Sequence, residues 1–359
     1  MPSFIPPEKD SNPFSRPQTP VEKHKVAFVG IGAMGYFMAR NLASSQGIGN
    51  HPLLVWNRSP AKAEALLEEL GSTKIRVAAS LAEVATESDI IITNLANDAV
   101  VTSVYEEMIS HLVNHASSKS KLFVETSTIY PALAGQLEEM LDPISYATLI
   151  TAPVFGAPVA ADKAQLVIVT SGDHRSKTEI AHLLVPAVGR KIVDLGGNLE
   201  KAPTLKLIGN SIILGFNASM AQSLTLAEKA SIGAESALDL VKELFPTPII
   251  MNYADKMTHD KFDGSKGFSI DGGIKDAQHI RQLTSAHGSP MPIIDIVHQQ
   301  MITAKALHNA NKQANVPTHD VLDMTAIIAA SRIAAGLDAF DSKKHGTSQV
   351  VRPSTSFTE

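Results

Sequence analysis

Apolar runs of strand type alternate with helical patterns through the first half of the chain. KVAFVG (25–30) precedes a helical pattern from Tyr36 to Ser45, and PLLVW (52–56) precedes another from Ala61 to Leu70. This is the opening of a βαβ arrangement. Further strands are expected at Asp89–Leu95, Lys121–Glu125, Leu149–Val154, Leu166–Thr170 and Lys191–Asp194, with helices between several of them. A doubly wound, mostly parallel sheet accounts for the set. Near Gly196 the texture changes, and from Leu199 to about Leu337 the patterns are helical with no alternating strand. A second, all-α domain is expected there. Its first helix, Ala202 to Ala230, is long and apolar, which suits burial between two domains or against another subunit.

Two domains agree with the 359-residue length, at roughly 100–200 residues per domain. With 44% hydrophobic and 19% charged residues the composition is globular, and a net charge of −5 offers no basic footprint for nucleic acid. A small molecule is the expected partner. There is no cysteine, which excludes disulfides, thiolate metal sites and a cysteine nucleophile. An intracellular location fits, with a cytoplasmic one expected and a mitochondrial one left open. Apolar runs such as Ser211–Met220 fall below the roughly 20 residues that span a bilayer, so no membrane is expected. Pro2, Pro6, Pro7, Pro13, Pro17 and Pro20 without an apolar core indicate a disordered arm over 1–22 and no secretory signal. The polar end, 343–359, reads as a second loose tail.

Gly30, Gly32 and Gly35 follow the first expected strand and open the first expected helix. In that setting GxGxxG binds a dinucleotide: the first glycine allows the turn, the second a close approach of backbone to pyrophosphate, the third helix–strand packing. Ile31, Ala33 and Met34 complete the loop, and the helix N-terminus adds donors and positive potential. The alternative is a plain tight turn. At the end of the second strand stand Asn57, Arg58 and Ser59, with no carboxylate. An acid there would bind a free 2′-hydroxyl, whereas a guanidinium, amide and hydroxyl suit a 2′-phosphate, so NADP(H) is favoured over NAD(H). The alternative for Arg58 is an ordinary solvated loop residue. The fold class expected is α/β: an N-terminal Rossmann domain over 23–197 followed by an all-α domain over 198–342.

Lys206 and Asn210 are four apart on the long helix and project from one face. A lysine ammonium can donate the proton that a carbonyl needs when it accepts hydride, and its amine can take the proton back; asparagine can only position. From spacing alone, both could equally be polar points on a solvated face.

Six segments in order, GIGAMG, NRS, ETSTIYP, TAPVFGAPVAADKAQL, KLIGNS and FSIDGGIKDA, resemble the β-hydroxyacid dehydrogenase family over roughly Lys25 to Arg332. The resemblance implies hydride transfer between nicotinamide and a carbonyl or hydroxyl substrate, in a cleft between the domains, with Lys206 as general acid/base and Asn210 beside it. It implies cofactor contacts at Leu95 and Ala96 (backbone only, since the usual proline is missing), at Thr128, and at Lys275, with Asp276 structural. It implies substrate contacts at Ser127, Phe155, Gly156 and Ala157, and a homodimer or homotetramer. There are departures. Phe155-Gly156-Ala157 stands where the family has Ser-Gly-Gly, Ala160 and Ala164 replace glycines, Glu125 replaces an aspartate and Gly272 a leucine. The lost serine hydroxyl makes a bulkier or less polar carbonyl plausible.

Two rival readings remain. An imine reductase shares the fold and cofactor, though Lys206 argues against it; a non-catalytic NADP-binding module is opposed by the retained Lys206, Asn210 and Lys275. His111 and His115, in HLVNH, are four apart, but the glutamate of H-E-x-x-H is missing and no metal is expected.

Overall fold

The computed structural model describes residues 12–15, 24–45, 47–48, 51–113, 119–265 and 267–345. In chain order the first elements are β1 (Val26–Val29), α1 (Gly35–Ser44), β2 (Leu53–Trp56), α2 (Pro60–Leu70), β3 (Ile75–Val77), α3 (Leu81–Glu87), β4 (Ile90–Thr93), α4 (Asp98–Leu112), β5 (Lys121–Glu125) and α5 (Pro131–Leu141). They continue with β6 (Ala147–Thr151), β7 (Val154–Phe155), α6 (Pro158–Asp162), β8 (Leu166–Gly172), α7 (His174–Leu184) and β9 (Gly189–Asp194). The strand order is β3-β2-β1-β4-β5-β6-β8-β7, with β9 paired to β8. Strands from β3 through β6 pair in parallel, while β8 runs antiparallel to β6 and β7. The order reverses between β1 and β4, the switch point at which such sheets bind ligands.

Both faces of the sheet are covered, so successive strand residues alternate between two cores rather than between core and water. Val26, Phe28, Ile90, Ile92, Leu122 and Val124 enter one core. Ala27, Val29, Ile91 and Phe123 enter the other. Expected and observed strands agree in position, with two differences. The three-residue β3 is too short to carry a pattern, and the run expected as one strand over 149–154 is two, separated by Ala152 and Pro153. Proline lacks the N–H that a continuous ladder needs.

The helical part contains α8 (Lys201–Lys229), α9 (Ala234–Leu244), α10 (Pro248–Thr258), α11 (Ile270–Ala286), α12 (Pro292–Gln313) and α13 (Ile328–Ala334). Arg332, fully buried there, lies 2.6 Å from Asp260 and 3.2 Å from Glu228, so its guanidinium is paired. None of the described helices is long and apolar enough to cross a membrane.

By contacts within the chain, two compact units meet between Gly209 and Asn210, inside α8. The segment entering α8 and the first turns of the helix belong with the sheet: Thr151 donates to the Leu199 carbonyl at 2.7 Å, and the Ala202 amide donates to Ser171 at 3.1 Å. Within the single chain, Ile212 and Leu226 on α8 are 67% and 68% exposed. Within the arm expected to be loose, Phe14 is buried against the sheet core and meets the His174 ring at a tilt, while residues 1–11 and 16–22 lie outside the described residues. The head of the expected tail is also held, since Ser342 donates to Asp260 and His345 meets the Asp338 carbonyl; residues 346–359 lie outside the described residues.

Candidate functional site

The three loop glycines differ in what surrounds them. At Gly30, φ is +101°, and a Cβ would lie 2.2 Å from the Asn94 carbonyl oxygen just beyond β4. At Gly35 a Cβ would lie 1.9 Å from the Gly30 carbonyl oxygen, so α1 packs on the loop only without a side chain. Gly32 has open space around the same position. Turn, packing and approach are thus separate tasks, as the spacing implies. The amides of Gly32, Ala33 and Met34 donate to no described residue, and α1 begins with no side-chain cap and no acid in its first turn. These unsatisfied donors at the positive end of a helix fit the diphosphate of a dinucleotide. Met34 itself packs, half-buried, against the sheet core.

At the end of β2, Asn57 Oδ1 accepts from the Ile31 amide at 2.9 Å and its Nδ2 donates to the Ser59 carbonyl at 2.9 Å. Its side chain therefore pins the glycine loop. Arg58 and Ser59 are exposed, and Arg58 makes no hydrogen bond or ion pair among the described residues.

Beside β1, the ends of β4 and β5 are tied together. Thr93 Oγ1 donates to Glu125 Oε2 at 2.7 Å, the Ser127 amide donates to Glu125 Oε1 at 2.7 Å, and the Leu95 amide donates to Ser127 Oγ at 2.7 Å. Ser127 is buried, and its oxygen accepts the bond from Leu95. Burial pushes the Glu125 carboxyl up to about 6 and the Tyr105 phenol well above its usual value. Leu95 and Thr128 are half-buried, and Ala96 is exposed.

Phe155, at the end of β7, meets Lys206 on the first turns of α8. Lys206 Nζ lies 4.5 Å from the ring centroid, a cation–π contact. Gly156 is exposed with φ at +141°, and Ala157 is half-buried. The sequence placed Phe155 and Lys206 in one site but not in contact; the signal for contact was Gly209, where a Cβ would lie 2.3 Å from the ring.

In the helical unit, Asn210 Nδ2 donates to Asp276 Oδ2 at 2.6 Å, and Lys275 Nζ lies 3.0 Å from Asp276 Oδ1. Asp276 is buried and orients Asn210 while holding Lys275, so it joins the residues the sequence singled out. Among the described residues no group of three or more histidines and acids could hold a metal ion; His111 is exposed, and His115 lies outside the described residues.

Residues 25–197 match the model of the NAD binding domain of 6-phosphogluconate dehydrogenase. An Aspergillus ustus protein described as an NADH-dependent oxidoreductase is 29% identical, over 85% of this chain and 98% of its own. The mitochondrial 3-hydroxyisobutyrate dehydrogenase of Drosophila melanogaster is 28% identical over 79% of this chain and 86% of its own. A Mycobacterium tuberculosis 3-hydroxyisobutyrate dehydrogenase structure with L-serine aligns with TM-score 0.66 at 22% identity, covering 86% of this chain and 98% of that one. The sheet unit is a nicotinamide-dinucleotide-binding domain, and the chain is similar to oxidoreductases along most of its length.

Proposed function

We propose that this chain, which belongs to the β-hydroxyacid dehydrogenase family as a divergent member, is an NADP(H)-dependent oxidoreductase that uses Lys206 as its general acid/base. When bound, the nicotinamide supplies hydride to a carbonyl carbon or receives it from a hydroxyl-bearing one. The Lys206 ammonium donates a proton to the oxygen as negative charge develops there, and its amine accepts one in the reverse direction. Asn210, fixed by Asp276, positions substrate through its amide. The amides of Gly32, Ala33 and Met34 hold the diphosphate. Arg58 and Ser59 hold the 2′-phosphate, with Asn57 shaping the loop that presents them.

The observation that carries this reading is the glycine loop, open at Gly32 and lined by amides with no acceptor among the described residues. The choice of NADP(H) rests on Arg58 and Ser59 and on the missing acid; the Aspergillus ustus relative is described as NADH-dependent, so both cofactors belong in the test. Initial rates with NADPH and NADH are measured against aldehydes and ketones with and without a carboxylate, and against cyclic imines. Carbonyl reduction with NADPH preferred is expected, and Arg58→Glu is expected to reverse the preference by placing an acid where the 2′-phosphate would sit. Imine-only turnover would make the chain an imine reductase. Cofactor binding with no turnover would make it a non-catalytic module.

A further inference from the structure

We infer that Phe155 sets the substrate class: the carbonyl compound that reaches Lys206 carries an apolar, carboxylate-free group on the side facing this ring. The inference rests on Lys206 being the proton donor. With Lys206 Nζ 4.5 Å from the ring centroid, a carbonyl oxygen within hydrogen-bond reach of that nitrogen brings its own substituents up to the ring. The negative potential of the phenyl face is taken up by the Lys206 ammonium seated over it, so the rest of the ring is hydrocarbon surface, against which a carboxylate would lose its water. Its neighbours on the loop, Gly156 and Ala157, carry no side-chain donor for a carboxylate.

The ring's place is built into the helix opposite. Gly209 lies within α8, where glycine weakens a helix relative to alanine. A Cβ there would lie 2.3 Å from Phe155 Cε1 and 2.5 Å from Cζ. The helix carries a glycine where the ring needs the space. A half-buried ring, with one part against the helix backbone and a cation over its face, offers its remaining surface as an apolar wall.

The test uses two unreactive carbonyl analogues of equal chain length, hexanamide and adipamate, titrated calorimetrically into the protein loaded with whichever of NADPH and NADH it binds more tightly. Wild type is expected to bind hexanamide at least about tenfold more tightly. Phe155→Ala is expected to weaken hexanamide about tenfold and to leave adipamate little changed, whereas Phe155→Leu keeps most of the hexanamide affinity because it keeps the apolar wall. Adipamate binding as tightly as hexanamide to wild type, neither amide binding, or a ratio unchanged in both variants would overturn the inference. Initial rates on hexanal separate it from the reading beneath it: no turnover together with the amide preference removes the reductase and leaves the apolar subsite standing.

Discussion

A methyl group added at Gly32 meets nothing within 4 Å, whereas one added at Gly35 meets the Gly30 carbonyl oxygen at 1.9 Å. The two substitutions therefore separate binding from folding. Gly32→Ala is expected to keep stability within about 0.5 kcal/mol of wild type, while its new methyl group crowds the cofactor and weakens NADPH binding by about tenfold. Gly35→Ala forces α1 away from the loop and is expected to cost about 1–3 kcal/mol. Urea unfolding with parallel NADPH titration checks both; a Gly35→Ala protein as stable as wild type contradicts the packing role. Single residues were legible where the chemistry is local. The glycine spacing and the missing acid after β2 could be read directly. The commitments of Asn57 and Ser127 could not, because each bonds to a strand or loop distant in sequence, Asn57 to Ile31 and Ser127 to Leu95.

Between elements, one buried acid adds side-chain bonds to the pairing of β4 and β5 at their ends. Glu125 is 1% exposed, accepts from Thr93 and Ser127, and is raised from its usual 4.5 to about 6 chiefly by burial. An acid with a raised folded pKa keeps its proton to higher pH when folded than when unfolded. Its contribution to stability therefore falls as pH rises from about 4.5 to about 6 and then levels. Over that window wild type is expected to lose about 2 kcal/mol relative to Glu125→Gln, and unfolding curves at several pH values read the difference. Parallel pH profiles for the two proteins would contradict it. The strands were legible as elements because apolar runs between turn residues have few other interpretations. β3 was not, since three residues establish no period, and neither was the break at Pro153 between β6 and β7.

For the molecule as a whole, an α/β part followed by a helical part was legible from the change of texture near Gly196. The grouping of the first turns of α8 with the sheet unit depends on which core each helical turn packs against, which no local pattern encodes. Lys206 and Asn210 both lie within α8. The central claim is that Lys206 moves the proton while the glycine loop holds the cofactor. It is tested most directly by measuring NADPH affinity and carbonyl-reduction rate on Lys206→Ala. Unchanged affinity with turnover reduced at least about 100-fold is the expected result; an unchanged rate would contradict the claim and take Lys206 out of the mechanism.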